Sequence, residues 1–258
     1  MTNPTDALIA DLVSANHILA DQGVVDGFGH VSVRTEAGED RFLLSRSMAP
    51  ALVEAPDIIT YDLDGNGLDA QGRAGYLERF IHCEIYRSRP DVIAVVHSHS
   101  PSVLPFGVAR TRLRPVYHMA GFLSQTSVFE IRDDFGPGTD MLVSNSRMGA
   151  SLAKVLGCNC VTLMRGHGSV VVGRSLHEAV YRAVYTEINA RVQTQAQALE
   201  GPIEFLTNEE AAAATQTNSA QLGRCWALWA SQAAARRPPS LRTPRQRGVK
   251  AIAGAARS

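Results

Sequence analysis

The sequence predicts a single α/β domain. Three observations predict it: segments of helical periodicity are interspersed with short β-branched runs, turn residues separate them, and 258 residues at 45% apolar content suffice for an ordinary core. No internal repeat breaks the chain into smaller units. The domain is expected to span residues 1–233. The remainder, 234–258, holds "ARRPPSLRTPRQRGVKAIAGAARS", basic and Pro-containing without acids, and is expected to be a mobile tail.

Each element has a local reason. Residues 6–21, "DALIADLVSANHILAD", place apolar side chains at helical spacing after a Thr-Asp cap, and the glycines of "QGVVDGFGH" stop the helix. Alternation in "HVSVR" and the run "RFLLS" predict two strands, and "DIITYDLDGNGLD" predicts a third with a turn at Asn66 and Gly67. Helical periodicity over 76–87, "YLERFIHCEIYR", ends at "SRP", where the residue before proline disfavours helix. "DVIAVVHSH" then reads as a buried strand, 145–156 as a short helix, and "CVTLMR" with "SVVVG" as a strand pair around Gly166, His167 and Gly168. Two long helices are expected over about 175–199 and 208–233.

Charge and composition narrow the function. Lys+Arg and Asp+Glu each total 25, so no electrostatic footprint for nucleic acid or anionic lipid is predicted, and the tail carries no aromatic to stack on bases. A small neutral or acidic ligand is the better expectation. The first basic residue is Arg34 and no apolar run is long enough to span a bilayer, so a cytoplasmic location is expected. Four cysteines, Cys83, Cys158, Cys160 and Cys225, form no disulfide framework and fit a reducing compartment. The "CNC" pair has no second pair beside it and is read as ordinary thiols.

The chemistry concentrates in histidines. Alternation along a strand puts His97 and His99 of "AVVHSHSPS" on one face, with Ser98 as the spacer, so the two imidazoles can share a cation. His167, between glycines in "RGHGS", could supply a third nitrogen and leave an open coordination position. Glu78, at the start of the helix leading into the His97 strand, suits a fourth ligand or a proton-transfer group, and the helix dipole favours it there in any case. His82, one turn on, shares its face and either packs or orients a neighbour. Hydrogen-bonded surface histidines and an incidental turn histidine are the alternatives.

"DGFGHVSVR", "ERFIHCEIYRSRPDVIAVVHSHSP" and "LMRGHGSVVVG", in this order and spacing, resemble the class II aldolase/adducin family over roughly residues 5–200. The resemblance implies a three-layer α/β/α fold with a central mixed, largely antiparallel sheet. It also implies one divalent metal per subunit on His97, His99 and His167, with Glu78 at the acid/base position, and a homotetramer with sites at subunit contacts. Zinc or manganese is expected ahead of iron. Adducin-type members generally lack these histidines, so their presence points to an enzyme.

The chain departs from the sugar-phosphate aldolases where those bind phosphate. A glycine-asparagine becomes Gly29 and His30, a hydroxyl-rich loop becomes "SRSM" over 45–48, and two serines become Tyr76 and Leu77. His30, Ser45, Arg46, Tyr76, Arg79 and Arg165 are therefore the candidate substrate contacts, and the guanidinium groups suggest a ligand bearing carboxylates. "FLLSRSMAP", "YLERFIH", "HSHSPSVLPFG" and "LRPVYHMAGFL" are most similar to a decarboxylase branch. Its members act on 2-hydroxy-3-carboxymuconate semialdehyde, dihydroxyphthalate or hydroxypyridine dicarboxylate in the degradation of aromatic compounds. There His118 of "VYHMAGF" is implied near the metal, as proton donor or carboxylate contact.

The expected activity is thus metal-dependent decarboxylation, a carbon–carbon lyase reaction passing through an enolate that the cation stabilises. An aldolase acting on a nonphosphorylated hydroxy-keto acid uses the same ligands. A metal-binding or adducin-like module without turnover is the reading from another class, and an iron oxygenase is a minor one. Tyr181, Tyr185 and Glu187 pack in the core or at an interface, or reach a neighbour's site. "DLDGNG" opens like a calcium loop, but Arg73 stands at its twelfth position, so a hairpin turn is expected. "GFGHVS" precedes a strand and matches no dinucleotide fingerprint.

Overall fold

β-branched residues dominate the sheet strands, and their alternation decides which layer each side chain joins. The computed structural model describes residues 4–35 and 40–236. In chain order the elements are α1 (Pro4–Asp21), β1 (His30–Arg34), β2 (Arg41–Ser45), β3 (Ile58–Asp62), α2 (Arg79–Ser88), β4 (Ala94–Ser98) and α3 (Leu104–Val108). They continue as β5 (Thr126–Phe129), α4 (Ile131–Phe135), α5 (Ser146–Leu156), β6 (Val161–Met164), β7 (Gly168–Gly173), α6 (Leu176–Gln197), α7 (Asn208–Ser219) and α8 (Leu222–Arg236).

The seven strands form one sheet in the order β3-β2-β1-β4-β7-β6-β5. Every neighbouring pair is antiparallel except β5 with β6, which is parallel. On one face, Val31, Val33, Ala94, Val96 and Val171 pack with Leu12, Ile18, Val180 and Val184 of α1 and α6, and Trp229 and Ala233 of α8 close over them. On the other, Phe42, Leu44, Val95, Val170 and Val172 pack with Ile81 and Ile85 of α2 and with Leu152 and Leu156 of α5. This is the three-layer, mostly antiparallel architecture expected.

Three elements differ from the expectation. The helix after Gly75 begins at Arg79, leaving Tyr76 and Leu77 in the preceding loop. β5 has no counterpart among the expected strands: "TSVF" is a short edge strand with a half-exposed pattern, so it carries no alternation to read. The last helical stretch is two helices, because α7 packs on the 3-10 segment His118–Ser124 while α8 packs against α1. α8 runs to Arg236, three residues past the expected boundary at 233, and the rest of the expected tail, 237–258, lies outside the described residues. At Asp62 the carboxylate accepts from the backbone N–H groups of Asp64 (3.0 Å) and Asn66 (2.9 Å), which makes "DLDGNG" the expected turn. Among the described residues, no helix is long and apolar enough to cross a membrane.

Candidate metal centre and its cavity

The sheet brings together four side chains from three chain segments. β4 delivers His97, completely buried, with its ring on the α2 face because it shares parity with Val95. His99 lies just past the strand end instead of on it, yet its Nε2 is 3.2 Å from His97 Nε2. His167 comes from the β6–β7 turn, and Glu78 from the residue before α2. One ligand atom from each of Glu78, His97, His99 and His167 lies within 4.8 Å of all the others. Gly168 makes this approach feasible, because a Cβ there would overlap the Ser98 carbonyl oxygen and crowd the His99 ring.

The hydrogen bonds aim the donors inward. His97 Nδ1 lies 3.2 Å from the Ser169 carbonyl oxygen and His167 Nδ1 lies 2.9 Å from that of Met141. Those acceptors fix the ring protons on Nδ1 and turn both Nε2 lone pairs toward the centre, as outer-shell partners do for metal-ligating histidines. His167 Nε2 is buried there without a hydrogen-bond partner. Glu78 Oε2 stands 3.4 Å from Nε2 of both His97 and His167, and Oε1 accepts from the Val143 N–H at 3.0 Å. Three imidazole nitrogens and a carboxylate oxygen around one point, one of them an orphan, fit a divalent cation of the zinc, manganese or iron type.

The charges are strongly coupled. Burial works to raise the Glu78 pKa, but His97 and His167 overcome it and hold the carboxyl well below the usual range. Burial and the neighbouring His97 and His167 push His99 down to about 4. His167 moves the other way: burial opposes it, and the contact with Glu78 leaves its pKa raised.

A cavity of about 270 Å³ opens beside these donors, lined by Phe28, His30, Met48, Tyr76, Leu77, Glu78, His99 and Leu142. Of the expected substrate contacts, His30 and Tyr76 are there, their rings 4.6 Å apart. Ser45 is fully buried, 3.1 Å from the Tyr76 hydroxyl, which itself donates to the Met48 carbonyl at 2.6 Å; Ser45 thus supports the wall. The arginines are occupied elsewhere. Arg46 pairs with Asp57 at 2.7 Å, Arg79 donates to the carbonyls of Gly65 and Tyr76, and Arg165 pairs with Glu130 at 2.6 Å. None of the three lines the cavity.

His118 is exposed and lies outside both the cluster and the cavity of its own chain, because α7 holds its segment: Asn218 donates to the His118 carbonyl at 2.8 Å. Glu187 works within the chain, accepting from the hydroxyls of Ser100 and Ser102 and from the Ser102 N–H at 3.1 Å, which clamps the segment leaving His99. Tyr181 donates to the Met119 carbonyl at 2.8 Å. Among the described residues, Cys158 and Cys160 join no group of metal-ligating side chains.

Sequence reasoning missed Phe28 and Leu142 on the cavity wall, since single apolar loop residues carry no pattern. It also missed the buried polar chain behind His30: His30 Nδ1 to His82 Nε2 at 2.6 Å, His82 Nδ1 to Ser32 Oγ at 2.6 Å, and Ser32 Oγ to the Tyr86 hydroxyl at 2.7 Å. The alternation of "HVSVR" was the available signal, since it puts His30 and Ser32 on one face, and that face meets α2.

Comparison with known proteins agrees with this fold. The model of the family described as class II aldolase and adducin N-terminal domain matches residues 10–194. The chain is 37% identical to decarboxylase tropJ of Talaromyces stipitatus, over 89% of this chain and 95% of that protein. It is 32% identical to a 3,4-dihydroxyphthalate decarboxylase of Arthrobacter keyseri, over 77% of this chain and 82% of the relative. Among solved structures, an aldolase II superfamily protein from Pseudomonas syringae superposes with a TM-score of 0.75 at 20% identity, covering 91% of this chain and 95% of its own.

Proposed function

This chain belongs to the class II aldolase and adducin family, and from that premise we propose that it is a metal-dependent decarboxylase of a hydroxylated aromatic or ring-cleavage dicarboxylate. Its decarboxylase relatives and its aldolase-type fold support a carbon–carbon lyase of decarboxylase or aldolase type. The observation that carries the finer reading is the buried Nε2 of His167, without a hydrogen bond among three further donors, at the edge of a cavity with an apolar wall.

Glu78, His97, His99 and His167 would hold the ion, with zinc or manganese ahead of iron. Such a cation supplies a Lewis acid for a substrate oxygen that gains negative charge as the carbon–carbon bond breaks. The chain's own groups do the rest. Phe28, Met48, Leu77 and Leu142 give one side of the cavity an apolar lining. A carboxylate lodged against them is poorly solvated, and its loss as neutral carbon dioxide relieves that cost. Tyr76, fixed through its hydroxyl, offers a flat ring face to an aromatic substrate. Glu78 is the acid/base group within reach, and it would carry the proton that the carbon losing carbon dioxide must receive. Phe28 and Leu77, 69% and 65% exposed at the rim, support a homotetramer in which a neighbouring subunit covers the mouth.

The test is carbon dioxide release from 3,4-dihydroxyphthalate by metal-reconstituted protein, with His97→Ala as control. Release that the control abolishes is the expected result. Stoichiometric metal with no release, but aldehyde formation from a hydroxy-keto acid, replaces the proposal with the aldolase reading; metal with neither turnover leaves a binding module.

A further inference from the structure

We propose that His30 recognises a hydroxyl group of the substrate by accepting its hydrogen bond at Nε2, because the buried chain behind it fixes the direction of every hydrogen bond. The inference rests on the decarboxylase reading of the cavity and names the group that the cavity selects.

The direction follows from counting protons, starting at the distal end. The Tyr86 hydroxyl donates to the Ile93 carbonyl oxygen at 3.3 Å, and a carbonyl can only accept. A phenol has one proton, so the 2.7 Å contact between Tyr86 and Ser32 uses the serine's proton. Serine has one proton as well, so His82 Nδ1 donates across the 2.6 Å contact to Ser32. A neutral imidazole protonated at Nδ1 accepts at Nε2. His30 Nδ1 must therefore donate across the 2.6 Å contact to His82. His30 Nε2 is left with a lone pair.

The setting supports this assignment. His82 is completely buried and His30 nearly so, and the hydrogen bonds of the two rings run to each other and to Ser32, with no carboxylate to pair a charge, so both rings are neutral. Among the described residues no hydrogen bond engages His30 Nε2, and His30 lines the cavity beside Glu78 and His99. Its ring is held between Tyr76 and His97, with centroids 4.6 and 5.0 Å away. Gly29, at φ +92°, lets the chain enter β1 this close to the His97 carbonyl.

A fixed acceptor in a buried wall discriminates. It repels a carboxylate or carbonyl oxygen, which has no proton to offer, and takes a hydroxyl. This gives His30, a candidate substrate contact from the sequence, a specific group to bind. The substrate class becomes one with a hydroxyl next to the carboxylate, and methyl ethers are refused. Ser32, His82 and Tyr86 act as positioning residues, through His30.

Two measurements test the inference without turnover. The first is the tautomeric state by long-range 15N–1H correlation on protein with 15N-labelled histidine, assigned with His30→Ala and His82→Ala. Protons on Nδ1 of both rings are expected, and a proton on Nε2 of either overturns the proposal. The second is the dissociation constants of 2-hydroxybenzoate and 2-methoxybenzoate on metal-loaded protein. The hydroxy compound is expected to bind at least about tenfold tighter, and His30→Ala to shrink that ratio to about threefold or less. Contacts with the metal contribute to the ratio in both proteins, so the change isolates His30; an unchanged ratio overturns the proposal. A protein that passes both yet releases no carbon dioxide from dihydroxyphthalate fails the functional reading alone.

Discussion

The two faces of the central sheet are built from the same strands and do different work. In β1, Val31 and Val33 enter the apolar layer under α1 and α6, while His30 and Ser32 enter the layer under α2. In β4, Ala94 and Val96 take the first side and Val95 and His97 the second. One face is hydrocarbon over most of its length, with the buried Ser98 and Ser169 at one end. The other begins apolar at the β2–β3 side and turns polar where His30, His82 and His97 meet. The period of a strand thus separates stability from chemistry by a single residue, and a substitution at 96 or 97 tests which duty each face performs.

The largest effect is expected at His97. His97→Ala removes a ligand, so metal content should fall well below one per chain and decarboxylation by at least about 100-fold. Metal analysis and initial rates check this; full metal content would break the distinction between the faces. Val96→Ala should do the opposite. Shortening a fully buried side chain of the apolar face costs about 2 kcal/mol of unfolding free energy while metal content stays unchanged. Denaturant titration and metal analysis of one preparation decide it.

A smaller effect comes from protonation of the polar face. His82 has a folded pKa of about 3 against an ordinary 6.5, so between those values the unfolded chain binds a proton that the folded chain refuses. Stability therefore falls as pH drops through that window and is insensitive to His82 above it. His30 and His99, also lowered, act in the same sense, whereas His167, raised by Glu78, contributes stability that is present at low pH and lost as pH rises. The difference between wild type and His82→Gln isolates the one group. In metal-free protein the variant should flatten the slope between pH 6 and 4 by up to about 1.4 kcal/mol per pH unit. Parallel slopes would mean that His82 is not held neutral.

Why the histidines were legible in the sequence while the arginines were not follows from how each is held. His97, His99 and His167 sit in local patterns, a strand end and a glycine-flanked turn, whose geometry is fixed within a few residues. The same holds for six of the seven strands and for most helix limits. The partners of the arginines are a matter of tertiary structure: Asp57 stands 11 residues from Arg46, and Glu130 is 35 residues from Arg165, across the paired strands β5 and β6. No pattern in the chain announces such pairs. The His30–His82 contact spans 52 residues and was hidden for the same reason.

The smallest effect should therefore be at Arg46. If guanidinium groups recognised the substrate, Arg46→Ala would raise KM strongly, as loss of a charge-assisted bond to a carboxylate does. The structure gives that side chain to Asp57, in a pair that leaves Arg46 41% exposed. An exposed pair contributes little, so Arg46→Ala should change KM and kcat by less than about threefold and stability by less than about 1 kcal/mol. Steady-state kinetics on the dicarboxylate check it. A tenfold rise in KM with unchanged kcat would show that Asp57 releases the guanidinium when substrate arrives, and would move recognition of the carboxylate from the cavity wall to its rim.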